Sequence, residues 1–103
     1  MPHLRNALIT GANRGLGFEI ARQLGVLGHR VFIGSRQLEL GVAAAAALRE
    51  AGIDARAVQI DAADSASIAA AVRTVAAQVE VLDVLVNNAG TFVEAWGTQP
   101  SAV

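Results

Sequence analysis

The chain has 103 residues, 53% of them hydrophobic and 17% charged, and a formal net charge of −1, which suits one small domain with a single core and leaves no room for separate cofactor and substrate domains. Its eight basic residues are all arginines, scattered from Arg5 to Arg73, so no basic stripe is present to hold a nucleic acid or an anionic membrane. The lack of cysteine excludes disulfides and thiolate metal sites and fits a cytoplasmic protein, while His3 and His29 stand too far apart to begin a metal site and read as surface or loop histidines.

The first six residues resemble neither a signal nor a transit peptide. Leu4 to Thr10 ends in an apolar run followed at once by glycine, which predicts a buried strand running into a tight turn. From Gly15 to Leu27 the residues Leu16, Ile20, Leu24 and Leu27 fall on one helical face and Glu19, Arg22 and Gln23 on another, with Gly28 as the stop. Val31-Phe32-Ile33 marks a second strand within His29 to Gly34. Leu40, Ala44, Ala47, Leu48 and Ala51 mark a second helix that Gly52 ends. Its alanine-rich stretch, Gly41 to Leu48, is the longest apolar run and is far too short to span a membrane. Ala55 to Ile60 predicts a third strand. A third helix, capped by Asp64 or Ser65, carries the stripe Ile68, Val72, Val75 and Val79, and a fourth strand over Leu82 to Val86 leads into Asn87-Asn88-Ala89-Gly90. Strict alternation of strand and helix means right-handed crossovers and a parallel sheet, so the predicted class is α/β. Residues 91–103 have no periodicity and read as a loop or as the start of a missing piece.

The segment Thr10-Gly11-Ala12-Asn13-Arg14-Gly15-Leu16-Gly17 joins a strand to a helix, whose first backbone N–H groups are unpaired and whose dipole presents its positive end to the turn. A phosphate is stabilised there. Gly11 can take a backbone shape closed to other residues, Gly15 lets a pyrophosphate approach the main chain, and Gly17 permits close packing of helix on strand. The alternative is a turn with a purely structural role. The glycines at 11, 15 and 17 depart from the G-x-G-x-x-G spacing.

Thr10 to Gly17 matches the T-G-x-x-x-G-x-G motif of the short-chain dehydrogenase/reductase family, and Asn87 to Gly90 matches its N-N-A-G motif. The chain therefore resembles the front part of that family up to about Val93, and the stretch beyond is loosely similar to its carbonyl-reductase-like members. The resemblance implies a Rossmann-type parallel sheet of order 3-2-1-4 with flanking helices, the incomplete half of a doubly wound fold, with residues 1–103 as the N-terminal part of an NAD(P)-binding domain. It also implies that Asn87 steadies the sheet and that Asn88, Ala89 and Gly90 lie against the cofactor ribose. An ordinary Asn-Gly turn is the competing reading of that quartet.

The choice of cofactor turns on charge at the end of the second strand. NAD-dependent members usually place an acid there to accept from the ribose hydroxyls, whereas a 2′-phosphate needs a cation. This chain offers Ser35-Arg36, and Arg14 in the glycine turn can reach the same phosphate, so NADP(H) is expected over NAD(H). Arg36 as a solvated residue at a helix start is the alternative. Asp61 stands where the family has an aspartate beside the adenine, with the following backbone N–H donating to the ring; its neighbour Ala62 is smaller than the family's usual aliphatic residue. A cap on the following segment is the other reading of Asp61.

The family transfers hydride between the nicotinamide and a carbonyl or alcohol, using a tyrosine, a lysine, a serine and an asparagine that all lie later in its sequence. The 103 residues contain no tyrosine and no lysine, so no catalytic residue is assigned. The expectation is a partial record of a complete reductase acting on a small carbonyl or alcohol, its parent a homo-oligomer, with no nucleic acid or membrane partner. A self-standing nucleotide-binding module or subunit, and a non-binding remnant, are the rival readings. The fourth strand, central in the resembled fold, is expected here to be an exposed, association-prone edge.

Overall fold

The computed structural model describes residues 5–88. Seven elements alternate along them: β1 (Asn6–Ile9), α1 (Gly15–Val26), β2 (Arg30–Ser35), α2 (Leu38–Glu50), β3 (Ala55–Gln59), α3 (Ser65–Ala76) and β4 (Val84–Val86). All strand pairs are parallel and the order is β3-β2-β1-β4, as the resemblance implied. Ala89, Gly90 and the expected loop over residues 91–103 lie outside the described residues.

Alternation along each strand divides the core in two. Ala7, Ile9, Val31, Ile33 and Ala55 face α1 and α2, where Ala21, Ala44, Ala45 and Leu48 close over them. Leu8, Phe32, Val58 and Ile60 face the other way, against Ala71 and Val75 of α3. The register pairs Leu8 with Leu85 and places Val84 and Val86 beside Ala7 and Ile9, so β4 presents Leu85 to the α3 face.

The helices bury the expected lines only in part: Ile20, Leu24, Ala44, Leu48, Val75 and Val79 pack into the core as expected, and the rest of each stripe does not. Leu16 and Leu27 of the predicted α1 stripe are 70% and 74% exposed, and the contact line is instead Gly17 and Ala21, with Ile20 and Leu24 half-buried. In α2 the buried line is Gly41, Ala44, Ala45 and Leu48, while Leu40, Ala47 and Ala51 are exposed. In α3 it is Ala71 and Val75, with Val79 packed against them and Ile68 and Val72 exposed. The physical reason is shared: small residues let a helix axis approach the sheet more closely than a line of leucines would, and the helix turns about its axis to put them at the contact. A Cβ on Gly17 would lie 2.5 Å from the Gly11 carbonyl oxygen, and a Cβ on Gly25 would collide with Ile53.

The two ends of the sheet differ in chemistry. Near the N-terminal ends of β2 and β3, Asp54 lies between Arg30 at 2.8 Å and Arg56 at 3.3 Å. Partial burial pushes the Asp54 carboxyl up, but the hydrogen bond from Arg30 and the charges of both arginines outweigh it and hold the group below its ordinary value. Asn6 and Asp83 tie β1 to the approach to β4: the Asn6 N–H donates to Asp83 Oδ2 at 2.8 Å, and the Asp83 N–H donates to Asn6 O at 2.9 Å. No helix among the described residues is long and apolar enough to cross a membrane.

Candidate functional site

In a parallel sheet every strand ends on the same edge, and the crevice there collects the functional loops. Here that edge brings together Thr10-Gly11, Ser35-Arg36, Asp61-Ala62 and Asn87-Asn88. Backbone bonds fix their spacing: Ala12 N–H donates to Gly34 O at 2.9 Å, Thr10 N–H to Val86 O at 3.0 Å, and Ile60 N–H to Ser35 O at 3.0 Å.

Gly11 and Gly15 both adopt left-handed backbone, φ 61° and 65°, where a Cβ is strained. Between them the chain reaches Arg14, the extended N-cap of α1, which forms no side-chain capping bond, and the first turn holds no acidic residue. The amides at the start of α1 are thus left for an anion. Nothing lies within 4 Å of where a Gly15 Cβ would stand, so the surface above that main chain is open. The Leu16 side chain is exposed to solvent.

The glycine turn is braced from β4. Thr10 Oγ1 donates to Asn87 Oδ1 at 3.0 Å and accepts the Asn88 N–H at 2.8 Å, and Asn88 Nδ2 donates to the Gly11 carbonyl at 3.2 Å. The same Asn88 amide closes over Gly17, where a Cβ would come within 2.5 Å of it. Thr10 was legible as the first residue of the motif, but its part as the bridge between turn and strand end required the structure.

A groove of about 710 Å³ opens beside the turn, lined by Asn13, Arg14, Ser35, Arg36, Gln37 and Leu40. Four of the predicted residues therefore meet in one place, and Gln37 and Leu40 join them. Among the described residues neither Arg14 nor Arg36 is paired with a carboxylate and no acid lines the groove. The Ser35 hydroxyl donates to Gln37 O at 2.8 Å and is buried, so it shapes the turn into α2. Gln59 Nε2 donates to Arg36 O at 3.2 Å and holds that backbone from β3. Asp61 and Ala62 are half-buried at the same sheet edge, outside the groove's lining. The capping reading of Asp61 finds an atom: Oδ1 accepts the Ala63 N–H at 3.0 Å, closing a local turn, while Asp64 supplies the α3 cap through Ala66 N–H.

A profile of the short chain dehydrogenase family matches residues 5–102. The chain belongs to the short-chain dehydrogenase family. It is 50% identical over 91 residues to a short-chain dehydrogenase/reductase of Stachybotrys chlorohalonatus, covering 84% of this chain and 33% of that one. Among solved structures, an actinorhodin polyketide ketoreductase with NADPH superposes with a TM-score of 0.80 at 44% identity, over 84% of this chain and 33% of that one. A gluconate 5-dehydrogenase from Burkholderia cenocepacia in complex with NADP and tartrate gives 0.78 at 40% identity, over 84% and 34%. The chain spans about a third of the length of the relatives it matches. As a short-chain dehydrogenase it carries the glycine turn and the Asn87-Asn88 strand end within its described residues.

Proposed function

We propose that residues 1–103 form the front part of the dinucleotide-binding domain of an NADP(H)-dependent short-chain dehydrogenase, whose complete form transfers hydride between NADP(H) and a carbonyl or alcohol. The observation that carries this reading is that Arg14 and Arg36 line one groove at the start of α1 and that, among the described residues, neither is paired with a carboxylate and no acid joins that lining. Two guanidinium cations there favour a phosphate dianion, whereas ribose hydroxyls would call for a carboxylate acceptor.

In this reading the pyrophosphate lies over Gly15 on the first-turn amides, with Gly11, Asn13 and Leu16 shaping that turn. Arg14, Ser35 and Arg36 border the 2′-phosphate. Asp61 and Ala62 flank the adenine, and Asn88, Ala89 and Gly90 lie along the ribose. The bound nicotinamide supplies the hydride donor or acceptor. With no tyrosine and no lysine in the 103 residues, the proton transfer that accompanies it belongs to residues outside them. A self-standing module would need a polar β4, and among the described residues Leu85 is 63% exposed.

Calorimetric titration of the chain and of Arg36→Ala with NADPH and NADH tests the reading. The chain is expected to prefer NADPH, and the substitution to weaken NADPH by about tenfold or more, the worth of charge-assisted hydrogen bonds, while leaving NADH nearly unchanged. Equal affinity of both proteins for NADPH would overturn the assignment of Arg36 to the phosphate.

A further inference from the structure

Beyond the groove, the same sheet edge holds Asp61 in an arrangement its motif does not explain. Ile60 N–H still donates to β2, at Ser35 O, but the next amide, that of Asp61, donates to Ser67 Oγ at 2.8 Å, six residues on in the first turn of α3. The Asp61 carbonyl accepts the Asp64 N–H at 3.0 Å, and Oδ1 accepts the Ala63 N–H at 3.0 Å. Its amide, carbonyl and one carboxylate oxygen are thus committed to neighbours, and Oδ2 remains as the acceptor for an outside donor. Ser67 is half-buried and sits on a helix that is itself capped by Asp64, so its hydroxyl is a fixed point.

We propose that Ser67 is a positioning residue that aims the Asp61 carboxylate and thereby sets the selectivity of the site for a 6-amino purine over a 6-oxo purine. The inference rests on the reading that Asp61 faces the adenine. A carboxylate only accepts hydrogen bonds, so it attracts the exocyclic amine of adenine and repels the carbonyl oxygen of hypoxanthine. That discrimination depends on direction, because a hydrogen bond weakens steeply once misaligned. Without Ser67 Oγ the Asp61 amide loses its partner, and the turn that aims the carboxylate is held only by its bonds to Ala63 and Asp64.

The test is the ratio of affinities for NADPH and its hypoxanthine analogue, measured on the full chain with Asp61→Ala, Ser67→Ala, Ser67→Thr and Ser67→Cys. One charge-assisted bond contributes a factor of about ten to the wild-type ratio. Asp61→Ala is expected to remove that factor and leave only what the following backbone N–H contributes at the ring, Ser67→Ala to lower the ratio about three- to fivefold, and Ser67→Thr to restore it. A role in stability alone would weaken both ligands together and leave the ratio unmoved. A folded Ser67→Ala with the wild-type ratio, while Asp61→Ala lowers it about tenfold, overturns the role of Ser67 and leaves the reading of Asp61 intact. If Ser67→Ala does not fold, Ser67→Cys decides, since a thiol of similar size is a weaker acceptor: a wild-type ratio in that variant overturns the proposal. An unchanged ratio in Asp61→Ala overturns the adenine reading, and the inference with it.

Discussion

The two faces of the sheet are built to different standards. On one, α1 and α2 close over β1, β2 and β3 with glycine and alanine at the contacts, and among the described residues eleven buried ones form a continuous cluster there, against six on the other. On the other face α3 is the one helix among the described residues, with Val72 56% exposed and Leu85 63% exposed beside a shallow apolar hollow lined by Leu8, Val75, Val79 and Leu82. Close packing and the candidate site share a cause. The approach that puts Gly17 against Gly11 seals the first face and also sets the start of α1 beside the turn. The site therefore belongs to the finished side of the molecule.

The largest effects test this asymmetry directly. Leu48 is 2% exposed in the α2 contact, and Leu48→Ala is expected to cost about 2–5 kcal/mol by lost burial and the cavity left behind. Val72→Ala, on the helix of the open face, is expected to change stability by no more than about 0.5 kcal/mol. Urea unfolding of the two variants measures the contrast, and comparable losses would mean that the α3 face is sealed in solution by something else.

Gly17→Ala ranks next and sets two rules against each other. Alanine in place of glycine inside a helix normally gains about 1 kcal/mol. Here the added Cβ meets the Gly11 carbonyl and the Asn88 amide at 2.5 Å, and the former is main chain that cannot swing aside. We expect a net loss of about 1–3 kcal/mol together with weakened NADPH binding. A stabilised variant with intact binding would show that the helix start yields more easily than its contacts indicate.

These contacts mark where the sequence could be read and where it could not. Strand and helix order followed from alternating apolar runs, and the sites of Gly11, Gly15, Gly28 and Gly52 from their place at turns, where all four take positive φ. The buried helix faces followed only in part: Ala44, Leu48 and Val75 are buried as expected, but reading a stripe from its largest residues also selects Leu16, Leu40 and Val72, whereas closeness to the sheet is set by the smallest, Gly17, Gly41 and Ala71. Arg14 was legible as a candidate from its place inside the glycine turn, and Arg36 from its place just after the second strand. Thr10 as a bridge and Ser67 as the partner of the Asp61 amide depend on contacts 78 and 6 residues apart that no local pattern announces.

The smallest expected change in stability accompanies the clearest change in behaviour. Among the described residues β4 is the outer strand next to β1, and it offers both unpaired main chain and an apolar side chain, the combination that recruits further strands. A lysine on such a strand keeps the fold and makes pairing with another chain costly by burying a charge. Leu85→Lys should therefore move the unfolding midpoint by less than about 0.5 kcal/mol while markedly reducing concentration-dependent association in light scattering. Leu27→Lys is the matched control, since Leu27 is more exposed, at 74%, but follows α1 and borders no strand edge. If both substitutions reduce association equally, exposed apolar area alone is responsible; if only Leu85→Lys does, the open strand is the seat of it.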